Sequence, residues 1–243
     1  MPTIAALVNQ LMAGPPKPAI CLDTCDILEV VQCLDWEKSG GIAPRPVTCI
    51  EAAKKLMDAL IVNPDRVQLV ITQLVHREWT QNIDAIRVKA VECLEKVDDI
   101  VMRAYQAAQL HGIGLPVYTP LSASTLVADL EGRSSALVSL ATQLDLDNVL
   151  IDRALQRVVN KHRPSHDGQI KESINFEHYL EFARQLPAGG FAEHVLFVSK
   201  NRKDFWNSDT GRIHPSLEPQ INDTAVQIRF FGNLNTALGF LHI

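Results

Sequence analysis

Two apolar stretches of this chain each run into a carboxylate. They are Ile20-Cys21-Leu22-Asp23-Thr24-Cys25-Asp26 and Val195-Leu196-Phe197-Val198-Ser199-Lys200-Asn201-Arg202-Lys203-Asp204-Phe205. Both read as buried strands, and in an open α/β sheet the residues just past the carboxyl ends of strands line the ligand crevice. Acids delivered there from two strands suit a hard cation, which takes oxygen ligands. Two further segments carry ionisable residues beside an element: Val70-Ile71-Thr72-Gln73-Leu74-Val75-His76-Arg77-Glu78-Trp79, and Lys171-Glu172-Ser173-Ile174-Asn175-Phe176-Glu177.

The elements that must position these residues follow from periodicity. Ile4, Leu7, Val8 and Leu11 recur at helical spacing, and Gly14-Pro15-Pro16 ends that helix because proline cannot continue it. A strand is expected over 19–23, a helix from Asp26 to about Trp36, and a proline-containing loop over 39–46. Thr48 and Glu51 have capping-box spacing and open a helix to Ile61. Residues 67–72 read as a second strand, followed by a helical stretch to about Leu110. Residues 112–120 read as a break that can hold a short edge strand. Helices are expected over 121–140, 150–161 and 171–186, strands over 195–199 and 226–231, and a last helix over 233–241. Strands that alternate with helices and form unbroken apolar runs predict a parallel sheet covered on both faces. The expected fold is α/β, a three-layer α/β/α arrangement. No repeat or linker is visible, so the chain reads as one domain over 1–243 with a helical insertion at about 85–150.

Composition narrows the function classes. Apolar residues make up 47 % and charged residues 21 % of 243, ordinary for a globular protein with a full core. A formal charge of −5 and a pI of about 5.9 argue against wrapping long duplex DNA, which needs a strong basic face. A nuclease with a local basic patch is compatible with both. No apolar run reaches the ~18 residues of a membrane span. Met1-Pro2-Thr3-Ile4 lacks the basic region of a secretory signal. The five cysteines are odd in number and hold no Cys-x-x-Cys pair, which fits a reducing, cytoplasmic compartment. Cys21 and Cys25 have no second pair to complete a zinc tetrahedron. No Gly-x-Ser-x-Gly nucleophile elbow is present.

Taken in order, the four segments resemble the PIN-like domain family of metal-dependent nucleases. Leu22-Asp23-Thr24 is similar to the motif that ends the family's first strand. Glu78 stands where the family has a glutamate on the helix after the second strand. Lys171-Glu172-Ser173 resembles the motif that opens a later helix with a carboxylate. Asn201-Arg202-Lys203-Asp204-Phe205 resembles the motif after a final strand. The similarity spans about residues 18–231, and the long helical middle looks like a larger bacterial PIN-like subgroup rather than the small toxin domains. Cys25 stands where the family often has Asn, and Glu172 where Asp is commoner. Glu177 is the alternative third acid.

The resemblance implies a Mg2+- or Mn2+-dependent endoribonuclease. Asp23, Glu78, Glu172 and Asp204 would hold the metal and carry catalysis, and Asn201 and Thr24 would orient a ligand or a water. Such a set is physically costly alone, because clustered carboxylates repel unless a cation sits between them. The resemblance also implies RNA as the nucleic-acid substrate and an antitoxin or other protein partner; a homo-oligomer stays open. The alternative is a PIN-like scaffold without catalysis, acting as a nucleic-acid-binding or protein-interaction module.

Each acid also has a structural reading. Asp23 or Asp26 caps the following helix, Glu78 is a solvated helix residue, and Glu172 favours its helix dipole. Asn201 and Asp204 are turn residues. Arg153, Arg157 and Lys161 repeat every four positions and share a helix face. Arg163, His166, Lys171, Lys200, Arg202 and Lys203 follow. These cations read either as contacts to nucleic-acid phosphates or as a solvated face paired with Asp147, Asp152 and Glu177. Trp79, Phe205 and Trp206 read as packing residues in preference to base-stacking ones.

Overall fold

The computed structural model describes residues 1–34, 48–165, 168–187, 190–191, 193–207, 212–224 and 226–243. Five parallel strands form one sheet in the order β3-β2-β1-β4-β5. They are β1 Ala19–Leu22, β2 Gln68–Thr72, β3 Thr142–Leu144, β4 Val195–Val198 and β5 Ile228–Phe231. Every residue of β1, β2 and β4 is buried. Alternate side chains enter opposite layers: Ile20, Leu22, Leu69, Ile71, Leu196 and Val198 join one core, and Ala19, Cys21, Val70, Val195 and Phe197 the other. A strand covered on both faces leaves little room for polar residues, which is why these three read as apolar runs.

Helices supply both covers. Against the first core lie α2 (Thr24–Gln32), α3 (Thr48–Val62), α4 (Gln73–Leu110), α5 (Leu126–Leu140) and α10 (Leu234–Phe240). Against the second lie α1 (Ile4–Ala13), α6 (Asn148–Val159) and α7 (Ile170–Gln185). Two short helices, α8 (Arg202–Phe205) and α9 (Glu218–Asn222), lie between β4 and β5. The fold is therefore the expected three-layer α/β/α arrangement. The first helix illustrates how sequence becomes packing. Thr3 caps α1 by accepting from the Ala6 N–H at 3.3 Å, and Ile4, Leu7, Val8 and Leu11 form its buried stripe. Fully burying each such side chain contributes about 1.5–3 kcal/mol.

The edge strand is at Thr142–Leu144, and residues 113–120 carry no regular structure. β3 is short, pairs with β2 through Val70↔Thr142 and Thr72↔Leu144, and is fully buried at Leu144 alone of its three residues. It interrupts the helical stretch expected over 85–150. Within that stretch α4 runs unbroken to Leu110, and Asp98 on it gathers the following segment. Its carboxylate accepts from the Tyr118 hydroxyl and, at 2.8 Å each, from the N–H groups of Leu121 and Ser122. The approach to Trp36, the 39–46 loop and His166 lie outside the described residues. No helix among the described residues is long and apolar enough to cross a membrane.

The strand order places the site. From β1 the chain moves to β2 on one side, whereas β4 returns to the other side of β1. A crevice opens where neighbouring strands lead away in opposite directions, at their carboxyl ends. Asp23 follows β1 there, and residues 199–204 follow β4. The Asp23 N–H donates to the Val198 carbonyl at 3.1 Å and holds the two exits together.

Candidate metal centre at the carboxyl edge of the sheet

Asp23 is the N-cap of α2. Its Oδ1 accepts from the Thr24 N–H at 2.8 Å, and its Oδ2 accepts from the Ser199 hydroxyl at 2.8 Å. Glu78 lies in the second turn of α4. Its Oε2 accepts from the Thr24 hydroxyl at 2.7 Å, and its Oε1 meets Lys171 Nζ at 2.6 Å. Asn201 uses one amide nitrogen twice, donating to Asp204 Oδ2 at 2.8 Å and to Glu172 Oε1 at 3.2 Å. Thr24 thus links the first acid to the second, and Asn201 the third to the fourth.

Neighbouring elements fix these positions. The Thr72 hydroxyl accepts from the Val75 N–H, capping α4, and donates to Asn175 Oδ1 at 2.6 Å, tying α7 to the end of β2. The Tyr179 hydroxyl donates to the Leu22 carbonyl at 2.7 Å, tying α7 to the end of β1. Glu172, in the first turn of α7, is therefore registered against two strand ends. Phe205 anchors α8. It is 1 % exposed, and its ring lies 5.0 Å from that of Phe197. Trp79 donates from Nε1 to Ser134, and Trp206 from Nε1 to the Ser199 carbonyl, so these aromatic residues pack as expected.

The electrostatics are those of crowded acids. Burial, and then the charges of Asp23, Asp204 and Glu78, push the Glu172 carboxyl above its ordinary range. Burial and Glu78 do the same to Asp23, opposed by its bonds from Ser199 and Thr24. Asp26 is pushed to about 7 by burial and then by Asp23, with Lys200 opposing. Two buried oxygens in this region, Glu172 Oε2 and Asp26 Oδ1, have no hydrogen-bond partner. Each shift disfavours the ionised form, and a cation between the acids would reverse it.

Among the described residues no group of three or more His, Cys, Asp or Glu side chains is arranged to hold a metal ion. Instead the acids are engaged by Ser199, Thr24, Asn201 and Lys171. The donor set is nevertheless the oxygen set that Mg2+ or Mn2+ takes, and the unpartnered oxygens of Glu172 and Asp26 fit a missing positive partner. The zinc alternative has no such support, since Cys21 is wholly buried in β1.

The remaining sequence candidates divide. Glu177, the alternative third acid, is 3 % exposed and pairs with Arg157, so Glu172 is the acid of α7 that joins the others. Arg157 also donates to the Arg163 carbonyl and to Gln220, and its guanidinium lies 4.9 Å from the Phe176 ring. Each guanidinium nitrogen of Arg157 is thus engaged by the protein. Arg153 pairs with Glu181 at 3.0 Å. Both arginines line a groove of about 640 Å³ with His162, Arg184 and Gln220, and none of the four acids lines it. Lys161 is exposed at the end of α6, with φ +52°. Lys200 pairs with Glu29, and Lys171 with Glu78. Sequence reasoning missed Ser199 as a donor to Asp23. Of the two cap candidates, Asp23 caps α2, and Asp26 is buried beside it with one oxygen unpartnered.

No protein-family model, curated protein sequence or solved structure matches this chain.

Proposed function

We propose that this chain is a PIN-like nuclease that uses Mg2+ or Mn2+ to hydrolyse phosphodiester bonds, with RNA as its substrate. One observation carries the reading. Glu172 sits at the strand-end crevice with a buried, unpartnered Oε2, in the field of Asp23, Asp204 and Glu78. Four carboxylates from four separate elements share that field, which supports the reading. A bound ion of this kind neutralises phosphate charge and lowers the pKa of a water. Asp23, Glu78, Glu172 and Asp204 would hold it. Asn201 keeps Glu172 and Asp204 side by side, and Thr24 does so for Asp23 and Glu78. The choice of RNA, and of a protein partner such as an antitoxin, rests on the motif resemblance alone.

The test is cleavage of a structured RNA such as tRNA by purified protein with Mn2+, with EDTA as the control. Cutting that needs Mn2+ and disappears in Asp204→Asn supports the reading. Equal cutting by wild type and variant assigns the activity to a contaminant. A specific observation favours a second reading, a non-catalytic PIN-like binding module: protein donors already engage the acids. RNA binding without cutting under any divalent cation would select it.

A further inference from the structure

Each carboxylate oxygen of Glu78 has a partner. Thr24 donates to Oε2 at 2.7 Å, and Lys171 Nζ lies 2.6 Å from Oε1. A cation approaching Glu78 competes most directly with the Lys171 ammonium, the one charged partner of the two. Thr24 is buried and fixed in the first turn of α2. Lys171 is the reverse case: its side chain is 55 % exposed, against 14 % for Glu78. Its ammonium rides on a flexible four-carbon stem and can swing into solvent. It also stands one position before Glu172 in the first turn of α7.

We propose that Lys171 is a resident counter-cation of the acid cluster, displaced from Glu78 by a divalent cation and then turned to a phosphate of the bound strand. The proposal rests on the nuclease reading above. Glu78 is one of the charges that burden Asp23 and Glu172. With no divalent cation present, the Lys171 ammonium offsets that charge. Once two positive charges occupy the cluster, the ammonium is repelled by the ion and has lost its carboxylate. A phosphodiester bound at the acid cluster would offer the ammonium a new anion, and lysine binds phosphate as a point charge. Lys171 is thus a positioning residue with two partners used in turn.

The experiment compares wild type with Lys171→Met, Lys171→Gln and Lys171→Arg. Mn2+ affinity is measured by calorimetry. RNA affinity is measured with Ca2+, to limit cleavage, and again in EDTA. Both neutral variants should bind Mn2+ about two- to fivefold tighter, the range expected for losing one partly exposed competing ion pair. The same variants should bind RNA several-fold more weakly with Ca2+ and no differently in EDTA. Lys171→Arg keeps the charge and should resemble wild type in both. Opposite signs for metal and RNA separate this role from a structural one, because a damaged fold would weaken both. Unchanged or weaker Mn2+ binding by the neutral variants, where wild type binds Mn2+, overturns the counter-cation role alone. A wild type that binds no divalent cation overturns the nuclease reading together with it.

Discussion

The Ser199 hydroxyl donates to Asp23 Oδ2 at 2.8 Å, joining residues 176 positions apart in the chain. It connects the exits of the neighbouring strands β4 and β1, where the sheet's connections diverge. Ser199 is 2 % exposed, and its oxygen also accepts from the Asn201 N–H at 3.2 Å. One small side chain thus bonds the first acid and the backbone of Asn201, whose side-chain amide joins the last two.

Ser199→Ala should lower stability by about 1–3 kcal/mol, the cost of leaving a buried polar group without its partner. Urea unfolding near neutral pH measures this. An unchanged unfolding free energy would mean that Asp23 does not depend on the bond. Added Mn2+ should recover part of the loss, since an ion bound to the native state stabilises it.

Asp26 makes a pH prediction. Its carboxyl is pushed from 3.8 to about 7 by burial and then by Asp23. Between those values the folded protein holds a proton that the unfolded chain has released. Stability is therefore fullest below the unfolded value and falls as pH rises toward about 7, by up to ~4 kcal/mol. Asp26→Asn removes the titration, so it should flatten the fall and be more stable than wild type at mildly alkaline pH. Denaturation in EDTA on either side of neutrality reads the slope, and parallel slopes for the two proteins sink the assignment.

Arg157 should behave as a structural residue. Its side chain is 11 % exposed and that of its partner Glu177 is 4 % exposed. Arg157→Ala strands a buried carboxylate and should cost about 3–5 kcal/mol. Replacing both partners with methionine should restore much of that, because no unpaired charge remains. Arg153→Ala, in an exposed pair, should cost no more than about 1 kcal/mol. Urea midpoints rank all three, and an Arg157→Ala protein as stable as wild type would return Arg157 to the phosphate-contact candidates.

Asp98 tethers the segment after α4. Burial raises its carboxyl, but bonds from Ser122, Tyr118 and Leu121 outweigh that and hold it below the ordinary carboxylate range. Its contribution is therefore present above the unfolded value of 3.8 and is lost as pH falls through the folded one. Asp98→Ala should speed amide exchange at Leu121 and Ser122. Mn2+ binding should not change, because Asp98 lies about 30 Å along the helix from Glu78. Slow exchange retained in the variant would show that other contacts hold the segment.

Much of the fold could be read in advance because burial acts on composition. β1, β2 and β4 are covered on both faces and had to be apolar throughout. β3 escaped notice for the converse reason: Thr142 and Gln143 are half-buried at the edge, so nothing in their side chains marks a strand. The 113–120 segment looked as suitable, yet Asp98 holds its end through hydrogen bonds that no local pattern signals. Asp23 and Asp204 follow strand ends that the apolar runs made legible, while nothing local told which of Glu172 and Glu177 is bonded by Asn201. Both are acids of one helix, and the packing of α7 against α6 decides which one meets Arg157.

The sequence by itself determined the alternation of strands and helices and the carboxylates that follow β1 and β4. Buried strands exclude charge, so an acid can appear only where the strand ends. Tertiary structure alone decided which oxygens are engaged and which are left over. Thr24 meets Glu78 across 54 positions, Thr72 meets Asn175 across 103, and Ser199 meets Asp23 across 176. Such bonds depend on the order of strands in the sheet and on helix registry, since a hydrogen bond is made or lost within a few tenths of an ångström. The unpartnered oxygen of Glu172 and the lysine on Glu78 are results of that registry.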